Sequence, residues 1–264
     1  GNLSVDGGTI KLDGNYPVNT NNVALGDTAL DSLTSGTSST AIGSGALTAN
    51  TSGNENTAVG HITLSGNTTG ASNVAFGRAA LNANTTASYN SAYGTDSLQV
   101  NTTGGSNTAV GFRSLFANTT ASNNVAVGYQ ALFDNTTGDD MVAVGFQALA
   151  NNTTGQDNNA VGIHSLLTNT TGNYNDAFGV TALRQNTTGS NNVAVGRQAL
   201  YSNTTASNNT AIGYQAGYSN TTGDNLAAFG RQALSSNTTG ADNTAIGDRA
   251  MDDNTTGSLN VAVG

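Results

Sequence analysis

One glycine recurs every 17 residues through nearly the whole chain: Gly26, Gly43, Gly60, Gly77, Gly94, Gly111, Gly128, Gly145, Gly162, Gly179, Gly196, Gly213, Gly230, Gly247 and Gly264, with no insertion or deletion between them. Spacing this strict is the signature of a repeat architecture, and it restricts the chain to folds in which each unit stacks on the next. With each glycine counted as position 0, a fixed skeleton emerges. Position −2 is alanine from Ala24 to Ala262, and position −1 is apolar or aromatic from Leu25 to Val263. Position +4 is leucine except at Gly217 and Met251, and +7 is asparagine except at Leu33. Position +8 is always threonine and +10 always glycine or alanine, whereas +1 and +5 vary freely.

Segments such as Val193-Ala194-Val195 are short and rich in β-branched residues, which suits a strand. Asn-Thr-Thr-Gly is turn chemistry, because asparagine tolerates a left-handed backbone and glycine supplies positive φ. Each unit therefore reads as a strand, a corner at the glycine, a second short strand (Gln-Ala-Leu) and a turn. Only about five residues separate the glycine from the asparagine, too few for a stable helix. The fold class expected is all-β: a parallel β-solenoid of about 14 coils, roughly 65–70 Å long at the spacing of stacked strands. The solenoid covers residues 23–264. Residues 1–22 lie outside the frame. There Leu3 to Leu12 reads as two short strands around Gly7-Gly8, and Pro17 marks the entry to the repeat, as in a β cap or the end of a preceding module. The chain stops in mid-unit at Val263-Gly264, as expected of a fragment or of a last coil that docks on a partner.

A strand alternates its faces. Placing position −1 inside with the leucines gives a core ladder of Val110, Leu115, Val127, Leu132, Val144, Leu149, Val195 and Leu200. Alanine at −2 then points away from the core, and its strict smallness suggests close packing by another copy or by a second layer of the same chain. Two or three apolar side chains per coil bury little surface against the cost of ordering 17 backbones. Stacks of asparagine and threonine, and association with further copies, are expected to supply the difference.

Composition excludes several classes. Charged residues make up 9%, with seven Lys plus Arg, 16 Asp plus Glu and a net charge of −9, so no basic stretch exists to engage nucleic acid. No apolar run reaches the roughly 20 residues that span a bilayer, and the first residues carry no signal-peptide pattern. The absence of cysteine excludes disulfides and thiolate metal sites. His61 and His164 stand six repeats apart, and the acidic pairs Asp139-Asp140 and Asp252-Asp253 read as solvated loops rather than Ca²⁺ ligands. No catalytic residue, cofactor or metal is expected, and the chain does not read as an enzyme. Aromatic residues are the candidate contact surface: Phe112, Tyr129 and Phe146 followed by Ile163 at +1, and Phe116, Phe133, Tyr201 and Tyr218 at +5, stacked as ladders for a sugar, a partner or a neighbouring chain. Asn-Thr-Thr also matches an N-glycosylation acceptor in a dozen units, and is read here as turn chemistry.

The segments Asn-Asn-Val-Ala-Val-Gly, Asn-Thr-Ala-Ile-Gly and Asn-Thr-Ala-Val-Gly resemble the head repeats of YadA-like trimeric autotransporter adhesins. Similar runs followed by Tyr-Gln-Ala-Leu and Asn-Thr-Thr-Gly occur in phage tail fibre and hemagglutinin-like proteins. Asn191 to Leu200 and Asn209 to Ala216 show the likeness best, and it extends from Asn22 to Gly264. The resemblance implies a left-handed β-roll, a homotrimer around one axis, an extracellular location on a virion or cell surface, and attachment to a host glycan or protein. The unit is longer than the YadA type, and no coiled-coil stalk or membrane anchor is visible, which favours the tail-fibre branch or a fragment. Two other functions compete. Threonine and asparagine ladders suit an ice- or surface-binding solenoid, although Thr204 and Thr205 are adjacent and cannot share one strand face. A polysaccharide-cleaving solenoid would need a clustered acidic or basic site.

Overall fold

The computed structural model describes residues 21–264. The predicted cap strands between Leu3 and Leu12, and Pro17, lie outside the described residues. Fifteen three-residue strands, from β1 (Val23–Leu25) and β2 (Thr40–Ile42) through β8 (Val142–Val144) and β11 (Val193–Val195) to β15 (Val261–Val263), form one parallel sheet whose spatial order is the sequence order. The register advances by 17 residues at every pairing, so Ala143 faces Ala160 and Val193 faces Thr210. Each unit is one circuit of the backbone, and the solenoid expected from the glycine spacing is the fold. No helix occurs among the described residues.

The interior is the reverse of the expected one. Alanine at −2 points inward and is fully buried, as at Ala109, Ala126, Ala143 and Ala194. The residue at −1 points outward: Val110 and Val195 are 37% exposed, and Val127 and Val144 are half-buried. Leu115, Leu132, Leu149 and Leu200 do line the core, each at 0% exposure. Volume explains the inversion. A circuit of 17 residues encloses a narrow interior, already filled by the leucine from one wall. The facing strand has room only for a methyl group, so the branched side chain goes outside.

The second strand is also absent. The segment after the glycine is a turn in which +2 and +4 have positive φ, as at Gln198 (60°) and Leu200 (48°). Its amides still bond between coils, Gln198 N–H to the Val180 carbonyl at 3.1 Å and Leu200 N–H to the Ala216 carbonyl at 2.9 Å. Position +12 is a third left-handed site, often held by asparagine or aspartate, such as Asn123, Asp140 and Asn208. Leucine and threonine rarely adopt this conformation, at about 1 kcal/mol or more each. The cost recurs in every coil and is offset by the ladders that stacking creates.

Those ladders are polar and buried. At +7, Asn186 donates through Nδ2 to Asn169 Oδ1 at 2.8 Å and to the Gly189 carbonyl at 2.9 Å, and its own Oδ1 accepts from Asn203 Nδ2 at 2.8 Å. A second asparagine column runs at −4. Asn56 Oδ1 accepts the Asn73 backbone N–H at 3.0 Å, and Asn56 Nδ2 donates to the Gly70 carbonyl at 2.8 Å. Asn67 from the +7 column donates to the same Gly70 carbonyl at 2.9 Å, so the two columns clamp one oxygen. Met141 and Leu226 interrupt the −4 column: their own N–H groups still reach Asn124 and Asn209 Oδ1, but they offer no amide oxygen to the next coil. The +8 threonines form a third ladder, each hydroxyl donating to the carbonyl one coil on, as Thr68 to Thr85 at 3.0 Å. No buried side-chain nitrogen or oxygen among the described residues lacks a partner.

Candidate interaction surface

Two columns of outward side chains flank the glycine column. Position −1 is apolar or aromatic in every strand, from Leu25 through Phe76, Tyr93, Phe178 and Ile212 to Val263. It forms an unbroken apolar seam on the outer face of the sheet, of the kind soluble surfaces rarely leave contiguous. Position +1 lies two residues further on, within about 7 Å along the backbone. Here the character changes with height. The lower coils carry Ser44, His61, Arg78 and Thr95, and Arg197, Tyr214 and Arg231 stand above. Between them Phe112, Tyr129, Phe146, Ile163 and Val180 occupy five successive coils at 40–48% exposure.

The predicted aromatic residues do stack as ladders. At +1, Phe112 and Tyr129 lie 5.5 Å apart and Tyr129 and Phe146 5.2 Å apart, with ring planes nearly parallel. At +5, Phe116 pairs with Phe133 at 5.3 Å and Tyr201 with Tyr218 at 5.2 Å. A further pair, Phe76 with Tyr93 at 5.3 Å, sits in the seam. In-register stacking turns the ring faces toward one another and leaves edges outward. The end faces are also taken: the Arg113 guanidinium lies 5.1 Å from the Phe112 centroid, and His164 meets Phe146 edge-on at 5.3 Å. Sugars stack on ring faces, so the +1 ladder does not offer the platform that a sugar needs.

Beside it runs an amide ladder at +2. Gln147 Nε2 donates to Gln130 Oε1 at 2.9 Å, and His164 Nε2 meets Gln147 Oε1 at 3.1 Å. Gln198, Gln215 and Gln232 continue the pattern above. Charges are paired between coils. Asp96, its side chain 4% exposed, takes Arg78 at 2.7 Å and Arg113 at 3.4 Å, and Arg231 meets Asp248 at 2.7 Å. Asp139 accepts the Ser122 backbone N–H at 2.6 Å and Asp140 accepts from Asn123, while Asp252 holds Arg249 at 2.6 Å. The acidic pairs are thus tied to neighbouring polar groups. His61 and His164 remain six coils apart. Among the described residues no three His, Asp or Glu gather as metal ligands.

The sequence reading missed the exposed column at +9. Thr69, Thr86, Thr103 and their equivalents to Thr256 point outward in twelve successive coils, below which stand Ser35 and Ser52. The asparagines at +7 and −4, by contrast, are internal. Strict identity at a turn position was the available signal, but it does not distinguish a threonine facing solvent from one, like those at +8, that closes the turn. Comparison with protein-family models, with curated proteins and with solved structures returns no match for this chain.

Proposed function

We propose that this chain is a non-catalytic rod segment of an extracellular fibre, of the phage tail fibre or bacterial surface adhesin kind, that associates as a homotrimer and serves attachment to a host surface. The observation that carries this reading is the apolar seam at −1, continuous over β1 to β15 on a rod whose own interior has no room for it. A parallel bundle of copies is the simplest way to cover a one-sided, repeating stripe. The resemblance of the Asn-Asn-Val-Ala-Val-Gly segments to adhesin head repeats supports the same reading. Light scattering combined with small-angle scattering tests it. A particle of three chains near the rod length is expected, and a compact 26.3 kDa monomer overturns the proposal. A glycan array then separates a receptor-contacting segment from a spacer.

A second reading, an ice- or surface-binding solenoid, is favoured by one observation: the exposed +9 hydroxyls from Thr69 to Thr256, none of which makes a hydrogen bond among the described residues. Threonine, without the internal asparagines, would form such a surface. Its test is thermal hysteresis of the purified rod, and freezing behaviour equal to that of a control protein of the same mass removes it.

A further inference from the structure

The seam has a weakness that follows from its regularity. Sliding one copy past another by one coil, about 4.8 Å, still sets every −1 side chain against another apolar one, whether leucine, valine, isoleucine, phenylalanine or tyrosine. A stripe that is apolar at every level therefore supplies attraction and little register, as in a repetitive strand surface. A rod assembled in one defined alignment needs a feature that does not repeat. The +1 column contains one. Its one continuous apolar run is Phe112 to Val180, with Thr95 and Arg78 below and Arg197 above, beyond which Tyr214 stands alone between Arg197 and Arg231. The stacked rings hold its lower part rigid, and the ring edges, Ile163 and Val180 face outward.

We propose that the block Phe112, Tyr129, Phe146, Ile163 and Val180 is the register key of the assembly, packing against the same block of a second copy of this chain at the same height. The inference rests on the self-association proposed above. In a rotationally symmetric parallel bundle, columns nearest the axis meet their own equivalents. Aligned, the five apolar residues cover one another. Shifted by one coil, Val180 loses its apolar neighbour and the Arg197 guanidinium is pressed against an apolar side chain, which strips it of water without a partner. Arg78 and Arg231 are already satisfied by Asp96 and Asp248 of their own chain, so they do not favour the shifted pairing. The continuity of this block with the seam, and the covered ring faces, favour a second copy over a sugar as the occupant.

The chain has no cysteine, so single thiols report alignment cleanly. Ser44→Cys and His61→Cys place a thiol at +1 in adjacent coils, well below the block. A disulfide forms only between Cα atoms within about 7 Å. With the block intact, oxidation should link Ser44→Cys chains to each other and give little linkage between Ser44→Cys and His61→Cys chains. In a Phe112→Ser, Tyr129→Ser, Phe146→Ser background the mixed product should rise to a yield similar to the matched one. A second variant moves the key. Thr95→Phe with Val180→Ser shifts the block down one coil, and its Ser44→Cys form should then link to the His61→Cys form of the unshifted chain. A monomer by light scattering defeats the self-association itself. Assembly with unlinked thiols, or with a linkage pattern indifferent to either block variant, overturns the register key while leaving self-association standing.

Discussion

Asn67 divides its side-chain amide between the preceding coil and its own turn: one hydrogen goes to Asn50 Oδ1 at 2.9 Å and the other to the Gly70 carbonyl at 2.9 Å. Repeated at every level, this places a fully bonded polar column inside a protein whose apolar core is one leucine and one or two alanines per coil. The column is buried, so its worth is felt mainly when it is broken. Asn186→Ala removes three bonds and leaves one hydrogen of Asn203 Nδ2 and the Asn169 Oδ1 acceptor without a partner. At about 1–3 kcal/mol for each buried group left unpaired, a loss of at least about 2 kcal/mol is expected in chemical unfolding. Asn186→Asp keeps the shape but cannot donate, and is expected to be no better at neutral pH.

The motif glycine is required for two independent reasons. Gly145 has φ of 139°, a region that side chains essentially never enter, and a Cβ there would stand 2.6 Å from the Gly162 carbonyl oxygen. Gly145→Ala is expected to lower the thermal midpoint sharply and to expose the two flanking coils to limited proteolysis. An unchanged midpoint would show that the corner has another backbone solution.

The inverted strand makes a paired prediction. Ala143→Val adds bulk to a site with no free space and should cost about 1–3 kcal/mol by overpacking. Val144→Ser, one residue on, removes a half-buried outer side chain. It should barely change the stability of an isolated chain while weakening association in sedimentation. The opposite ranking would mean that the valines, not the alanines, form the interior.

Asp134 sits at +6, where partial burial raises its carboxyl pKa above the ordinary 3.8 by desolvation of the charged form. The sign follows from linkage. The folded state holds this proton more tightly than the unfolded chain, so the group is least unfavourable below the unfolded pKa, and stability falls as pH rises from there through the raised folded value. Asp134→Asn removes the charge. It should raise the thermal midpoint at pH 7 and give no comparable gain at pH 3.

The repeat made the solenoid legible, because 17-residue spacing without a slip admits few other solutions. It did not reveal which face of the strand is inside. Alternation says only that Ala194 and Val195 face opposite ways; the answer depends on the volume left beside Leu200, which is a property of the closed coil. The left-handed positions at +2 and +4 did leave a trace. Gly45 and Gly217, where other coils carry larger residues, sit at these sites with φ of 70° and 60°. The −4 asparagine column is present in the sequence from Asn56 to Asn260, but its role depends on carbonyls 14 residues ahead, a relation visible only once the coil is closed. The aromatic ladders were legible as columns, and their covered faces were not, since those depend on Arg113 and His164 arriving from neighbouring positions.

The internal asparagines also bear on where this protein can be made. Asn-Thr-Thr recurs from Asn67 to Asn254, and the asparagine amides of these units are committed inside the rod. An oligosaccharide transferase could reach those nitrogens only on a chain still emerging from the ribosome, before the coils close. Each sugar then attached would sit on an atom that must later donate two hydrogen bonds in the interior. In a eukaryotic secretory pathway, modification and folding would therefore compete for the same atoms, and every coil that lost the race would be a fault in the stack.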